Sequence, residues 1–193
     1  MKRFYSYLNV IRLWPHLLCY AFSANRKIIL TDMAAYRDEY NLREDGILLL
    51  LWLLTFNKSF RSLFYYRSGF IWHFISFLAM PETDFRISKD AEIGEGLLLF
   101  HAYGTILNCK KIGNHCRIVH NVTLGDKKGG VPTIGNRVEI LPNAVVVGDI
   151  NIGDDCVIGP GAVVYKSVPA KCVVVGNPAY ILKRDGVVVN EKL

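Results

Sequence analysis

No apolar run in this 193-residue chain reaches the roughly 20 residues that a helix needs to cross a bilayer. The runs Ile47 to Phe56 and Phe70 to Met80 are ten and eleven residues long, which suits buried or interfacial helices. The apolar stretch from Met1 to Phe22 follows Lys2 and Arg3, as a signal peptide would, but Arg12 and Pro15 interrupt it. No small-residue cleavage site comes after it, so secretion is not expected. The five cysteines include no CxxC pair and are odd in number, which argues against a metal knuckle or a disulfide framework. The expected compartment is therefore reducing: the cytoplasm, with peripheral contact at the inner face of a membrane as a further option. Residues 1 to 80 also lack any strand-turn pattern. They hold most of the aromatics and read as a helical domain of three or four helices, broken near Asn25 and at Asn57-Lys58-Ser59.

The formal charge of +6 is unevenly placed. Residues 1 to 80 carry ten Lys/Arg against five Asp/Glu, and residues 81 to 193 carry thirteen against twelve. The basic excess belongs to the helical segment, where the block Phe60-Arg61-Ser62-Leu63-Phe64-Tyr65-Tyr66-Arg67 sets aromatics and arginines on alternating sides of about two helical turns. That block fits an amphipathic helix docked on its neighbours, or a face that lies on a membrane surface. His16 and His73 stand in apolar surroundings and read as structural. No nucleic-acid partner is expected.

From Ile87 onward the dominant feature is a period of six. It runs I87-S-K-D-A-E, I93-G-E-G-L-L, L99-F-H-A-Y-G, then I112-G-N-H-C-R, I118-V-H-N-V-T, L124-G-D, and resumes from I134-G-N-R-V-E to V164-Y-K-S-V-P. Six is neither the helical 3.6 nor a strand's 2, and a fixed short period marks a solenoid whose repeats bury their apolar faces only by stacking. Three hexapeptides make one turn of a coil with three flat faces. The small residues Ala91, Cys116, Val122, Val138, Ala144, Cys156 and Ala162 stand four places after an aliphatic and suit a second inward slot. Glycines 94, 113, 125, 135, 153 and 159 fit corners whose backbone angles are costly for other residues. The fold expected is a hexapeptide parallel β-helix of about five coils over residues 81 to 193, preceded by the helical domain of residues 1 to 80.

The period breaks twice. The step from Leu99 to Ile106 is seven, and the step from Leu124 to Ile134 is ten, so Asp126-Lys127-Lys128-Gly129-Gly130-Val131-Pro132 should protrude as a loop. Its two lysines suit a phosphorylated ligand. His101 and His120 each stand two places after an aliphatic on the same face one turn apart, which should make their imidazoles near neighbours. With Asp126 one corner further on, these three form the candidate catalytic group.

The pieces Leu99-Phe100-His101-Ala102-Tyr103-Gly104, Val122-Thr123-Leu124-Gly125, the Gly-Gly-x-Pro loop and Val175-Gly176-Asn177-Pro178-Ala179 resemble the hexapeptide-repeat acyltransferases, most closely the serine acetyltransferase branch. The resemblance implies a left-handed coil, a homotrimer or a dimer of trimers, and acetyl-CoA in the groove between neighbouring coils, with no metal. It implies that His101 takes the proton of the acceptor hydroxyl, an apt task for an imidazole at neutral pH. Backbone N–H groups beside Gly125 would hold the oxyanion. Lys127, Lys128, Lys166 and Asn177 would contact the coenzyme, with Lys166 resembling the lysine that meets its phosphate.

The chain departs from that branch in three places. The aspartate that orients the histidine aligns with Arg86, leaving Asp84, Asp90 or Glu95 as substitutes. The loop's Arg-His pair is replaced by Gly130 and Val131, and a glutamate expected after the histidine motif gives way to Asn108 and Cys109. A zwitterionic serine needs both a cation and an anion, so these losses point to a sugar hydroxyl, on a polysaccharide or its precursor, as the acceptor. The alternatives are serine O-acetylation in cysteine biosynthesis, a zinc enzyme like the γ-class carbonic anhydrases using His115-x4-His120, and an inactive trimeric scaffold.

Overall fold

The computed structural model describes the backbone of residues 2–69 and 72–193, and the side chains of residues 5–69 and 74–193. His73 and the start of the Phe70 to Met80 run lie outside the described side chains. Two compact units divide between Thr83 and Asp84.

The first unit contains helices α1 (Lys2–Leu8), α2 (Val10–Phe22), α3 (Arg26–Glu39), α4 (Gly46–Phe56), α5 (Lys58–Ser68) and the short α6 (Trp72–Ile75). Three or four helices were expected. The break at Asn9 carries no proline or glycine signal; between α3 and α4, Asn41 leaves α3 in the left-handed region (φ 49°), which asparagine tolerates better than most residues, and Gly46 opens α4 at φ 54°. The break at Asn57 follows the sequence reading, since its side chain accepts the Phe60 N–H at 2.8 Å and so satisfies one orphan donor at the start of α5. Helix α4, GILLLLWLLTF, is apolar all round and buries Leu49, Leu50, Leu51, Leu53 and Leu54, as a central helix must. No single helix among the described residues is long and apolar enough to cross a membrane.

The Phe60 to Arg67 block lies inside the unit and presents no surface face. Phe60, Arg61, Leu63, Phe64, Tyr65 and Arg67 are all buried. Arg67 pairs with buried Asp32 at 2.9 Å, and Arg61 donates to the carbonyls of Leu54 and Thr55 at 2.9 and 3.2 Å. The alternation of aromatics and arginines that suggested a membrane face instead reflects cations turned to interior partners, although the buried Arg61 Nε is left without one.

His16 is fully buried. The Tyr65 hydroxyl donates to the Ala79 carbonyl at 2.6 Å, so the 2.7 Å contact between His16 Nε2 and Tyr65 Oη is a donation from the imidazole. Nδ1 is then the bare nitrogen, and it has no partner. Burial, helped by the Arg12 and Arg61 charges, pushes this histidine down to about 4 from 6.5. Below pH 6.5 the unfolded chain takes up a proton that the folded chain refuses until about pH 4, so stability is lost as pH falls through that window, by up to ~3 kcal/mol. Urea midpoints at pH 7 and 4.5 should therefore separate less in His16→Met than in the wild type; equal separation would contradict the assignment.

The second unit is a parallel β-solenoid of about five turns with three faces. Face one stacks β1 (Arg86–Ile87), β4 (Ile106–Leu107), β7 (Thr123–Gly125), β10 (Val145–Val147) and β13 (Val163–Val164). Face two stacks β2 (Glu92–Ile93), β5 (Lys111–Ile112), β8 (Thr133–Ile134) and β11 (Asn151–Ile152). Face three stacks β3 (Leu98–Leu99), β6 (Arg117–Ile118), β9 (Glu139–Ile140), β12 (Val157–Ile158) and β14 (Cys172–Val175). There β15 (Tyr180–Arg184) and β16 (Val187–Lys192) add two antiparallel strands, giving order to the tail. The ladder registers Ile112 on Ile134, Ile118 on Ile140 and Leu124 on Val146, and all six are buried. The seven small residues assigned to the second inward slot are buried too, Cys116 and Cys156 as free thiols.

Two readings need correction. The first break falls differently: Ile87 pairs with Leu107, and Leu107 is buried while Ile106 is 42% exposed. The inward step from Leu99 is thus eight, not seven, and the corner before β4 is longer than the repeat suggested. The glycines also serve another purpose. None of Gly94, Gly113, Gly125, Gly135, Gly153 and Gly159 has positive φ. A Cβ at Gly113 would stand 2.5 Å from the Gly135 carbonyl oxygen, and one at Gly153 2.4 Å from the Ala170 nitrogen. Close approach of successive coils excludes a side chain at five of the six, whereas a Cβ at Gly125 would meet only ordinary contacts from 3.4 Å outward. The left-handed corner positions are filled mostly by other residues, among them His115, Asn121, Arg137, Asn143 and Asp155.

Candidate active site

The faces define three corners, and the candidate residues distribute among them. His101 and His120 lie at the corner from face three to face one, on adjacent coils, as Leu98 pairs with Arg117 and Leu99 with Ile118. The lengthened corner builds a small platform around them. His101 adopts φ 52° and packs edge-on against Phe100, with ring centroids 4.4 Å apart. Tyr103, two residues on, lies flat on His120 at 4.9 Å and 14° between planes. Gly104 turns the chain at φ 64° beside Asn121, whose side-chain oxygen leaves no room for a Cβ. Thr105 then ties the corner down. It is fully buried, its hydroxyl donates to the Val119 carbonyl at 3.1 Å and accepts the Val122 N–H at 3.3 Å. His101 is exposed and His120 partly so, leaving both imidazoles open to a ligand.

Asp126, Lys127 and Lys128 begin the loop at the corner from face one to face two. Strand β7 lies between them and His120, about 10 Å of extended chain. Within one chain Asp126 is therefore not grouped with the histidines. The loop closes as a tight turn, with Lys127 N–H to Gly130 C=O at 2.9 Å and Lys128 and Gly129 at φ 58° and 84°. Gly125, at the end of β7, shares that corner; its carbonyl accepts the Gly148 N–H at 3.1 Å. Lys166 follows β13 at the same corner two coils on, and the Lys127 ammonium sits 4.6 Å from the ring centroid of Tyr165, next to it. Lys166 donates to the Leu193 backbone oxygen. Asn177 follows β14, four coils below His101 on the histidine corner. Near it Pro178, Ala179, Tyr180 and Tyr165 help line an open pocket of about 620 Å³.

The three carboxylates offered as orienting groups for His101 also separate. Asp90 lies in the turn between faces one and two, and Glu95 between faces two and three. Only Asp84, in the turn that enters β1, lies at the histidine corner, since Arg86 pairs with Ile106. His115 sits at the corner from face two to face three with φ 54°, one corner away from His120. The spacing that suggested a zinc pair thus spreads the two across strand β6. No group of three metal-binding side chains occurs among the described residues. Sequence reading missed Tyr103 and Thr105; the eight-residue inward step was their only signal, and it was hidden because Ile106 imitates the repeat.

A three-faced parallel coil of hexapeptides, with an exposed histidine on a lengthened corner and a basic loop at another, defines a class of transferases. Residues 132–166 match the family described as bacterial transferase hexapeptide (six repeats). The chain is 38% identical over 124 residues to a serine acetyltransferase of Helicobacter pylori, covering 62% of this chain and 72% of that one. It is 37% identical over 121 residues to a serine acetyltransferase of Synechococcus elongatus, covering 60% of this chain but half the length of that relative. The solved serine acetyltransferase of Neisseria gonorrhoeae superposes with a TM-score of 0.66 at 31% identity, over 85% of this chain and 66% of that one. The chain belongs to the hexapeptide-repeat acyltransferases, on the serine acetyltransferase branch.

Thr105→Val should leave the Val122 N–H and Val119 carbonyl without their bonds. The expected loss is ~1–3 kcal/mol, a fall of roughly 3 to 10 °C in melting temperature, with Thr105→Ser close to wild type. Melting of the valine variant at the wild-type temperature would contradict the role given to this corner.

Proposed function

We propose that the chain is an acetyl-CoA-dependent O-acetyltransferase that acts on the hydroxyl of serine. The observation that carries this reading is the lengthened corner, which presents His101 to solvent beside His120 and Tyr103. His101 removes the proton of the acceptor hydroxyl, and the oxygen attacks the thioester carbonyl. The tetrahedral oxyanion is held by N–H donors, and its collapse breaks the carbon–sulfur bond. The departing thiolate takes the proton from the imidazolium, so the histidine returns neutral and coenzyme A leaves as the thiol. Asp84, which enters β1 at the same corner, orients the imidazole in this scheme. Lys127, Lys128 and Lys166, along one corner, meet the anionic end of the coenzyme, in the groove between neighbouring solenoids of a homotrimer. The compartment is the cytoplasm.

The relatives favour serine over a sugar as acceptor. Gly130 and Val131 carry no side-chain charge. The serine site is completed across the groove between solenoids, where the exposed Asp126 of a neighbouring copy's loop supplies an anion for the ammonium. The test is thiol release from acetyl-CoA with L-serine beside hexoses, amino sugars and nucleotide sugars. Serine should turn over at roughly 10 per second, and Asp126→Asn should raise its KM with little change in kcat. Turnover of a sugar with none of serine would overturn the acceptor assignment.

A further inference from the structure

Helix α2 is apolar on two opposite sides. Leu13, His16 and Tyr20 face the interior of the first unit. On the other side Ile11, Trp14, Leu18 and Phe22, spaced three, four and four apart, form one stripe, and they are 82%, 58%, 49% and 85% exposed. The stripe is about 16 Å long. A helix apolar all round is normally covered on both sides, and a contiguous exposed stripe of this kind marks an interaction surface.

Charge decides what covers it. Residues 1 to 31 contain Lys2, Arg3, Arg12, Arg26 and Lys27 and no Asp or Glu. The first acid, Asp32, is buried and engaged by Arg67, so it offsets none of this charge at the surface. Arg12, Arg26 and Lys27 are all exposed. Two copies meeting through this face about a twofold axis would set these cations against their own images, with no acid in the segment to relieve them. A phospholipid surface with anionic headgroups satisfies both features, since aromatic and aliphatic side chains enter the interfacial layer while the cations stay among the headgroups.

We propose that the Ile11/Trp14/Leu18/Phe22 face of α2 docks this chain on an anionic lipid surface. The docking face is distinct from the Phe60 to Arg67 block, whose arginines are consumed inside the unit. It positions the acetyltransferase at the membrane without inserting a span.

The experiment is flotation of the full chain with phosphatidylcholine vesicles containing about 30% phosphatidylglycerol, and with pure phosphatidylcholine. Binding is expected to the anionic vesicles only, and it should fall as salt rises. Trp14→Ser/Phe22→Ser should weaken binding at least tenfold with an unchanged melting curve, and Arg12→Gln/Arg26→Gln/Lys27→Gln should weaken it while leaving the stripe intact. The proposal is overturned if the wild type does not float, or if the Trp14/Phe22 variant floats equally well. It is also overturned if light scattering shows that this variant only breaks an assembly that the wild type forms without lipid, which would make a second copy the occupant.

Discussion

The close stacking of one coil on the next is the constraint on which the rest of the second unit depends. Parallel strands approach to about 4.8 Å, and at the corners the backbones come close enough that a Cβ at Gly113 or Gly153 would overlap the neighbouring coil. With the spacing fixed at the corners, Ile112, Ile134 and Ile152 fall in one buried register, as do Leu99, Ile118, Ile140 and Ile158. A column so regular leaves no slack for extra residues inside. Insertions must leave at corners, where they become binding surface. Both insertions of this chain leave at corners, one carrying His101 and Tyr103 and the other carrying Asp126 to Lys128.

The fold was legible because the six-residue period is long and nearly unbroken. Reading it failed where a local residue imitated the repeat. Ile106 looks like the next inward aliphatic but faces out, and Leu107 takes its place. The six glycines were assigned to corners for the wrong physical reason, since none has positive φ and close approach demands glycine at all but Gly125; a sequence shows where glycine is and not whether angle or space demands it. In the helical unit the Phe60 to Arg67 block packs on its neighbours, one of the two options its pattern allowed, but nothing local to Arg61 and Arg67 reveals that Leu54, Thr55 and Asp32 come round to meet them.

The histidine pair was placed from spacing alone, and the ladder puts the two on adjacent coils of one corner. Asp126 was grouped with them because a corner looks small in sequence, yet a three-residue strand separates them. Tyr103 and Thr105 could not have been found without the register, because their roles come from a ring stacked on the next coil and a hydroxyl shared between two backbone groups. What joins the two corners is face one, which runs from the lysine edge to the histidine edge.

The account rests on His101 as the group that activates the acceptor. The most direct measurement is acetyl transfer by His101→Ala, with coenzyme A binding followed by calorimetry on the same protein. A fall of roughly 10²- to 10⁴-fold in kcat, with coenzyme A affinity and melting temperature unchanged, is the predicted result. Activity within a few-fold of wild type would contradict it and place the base on another side chain.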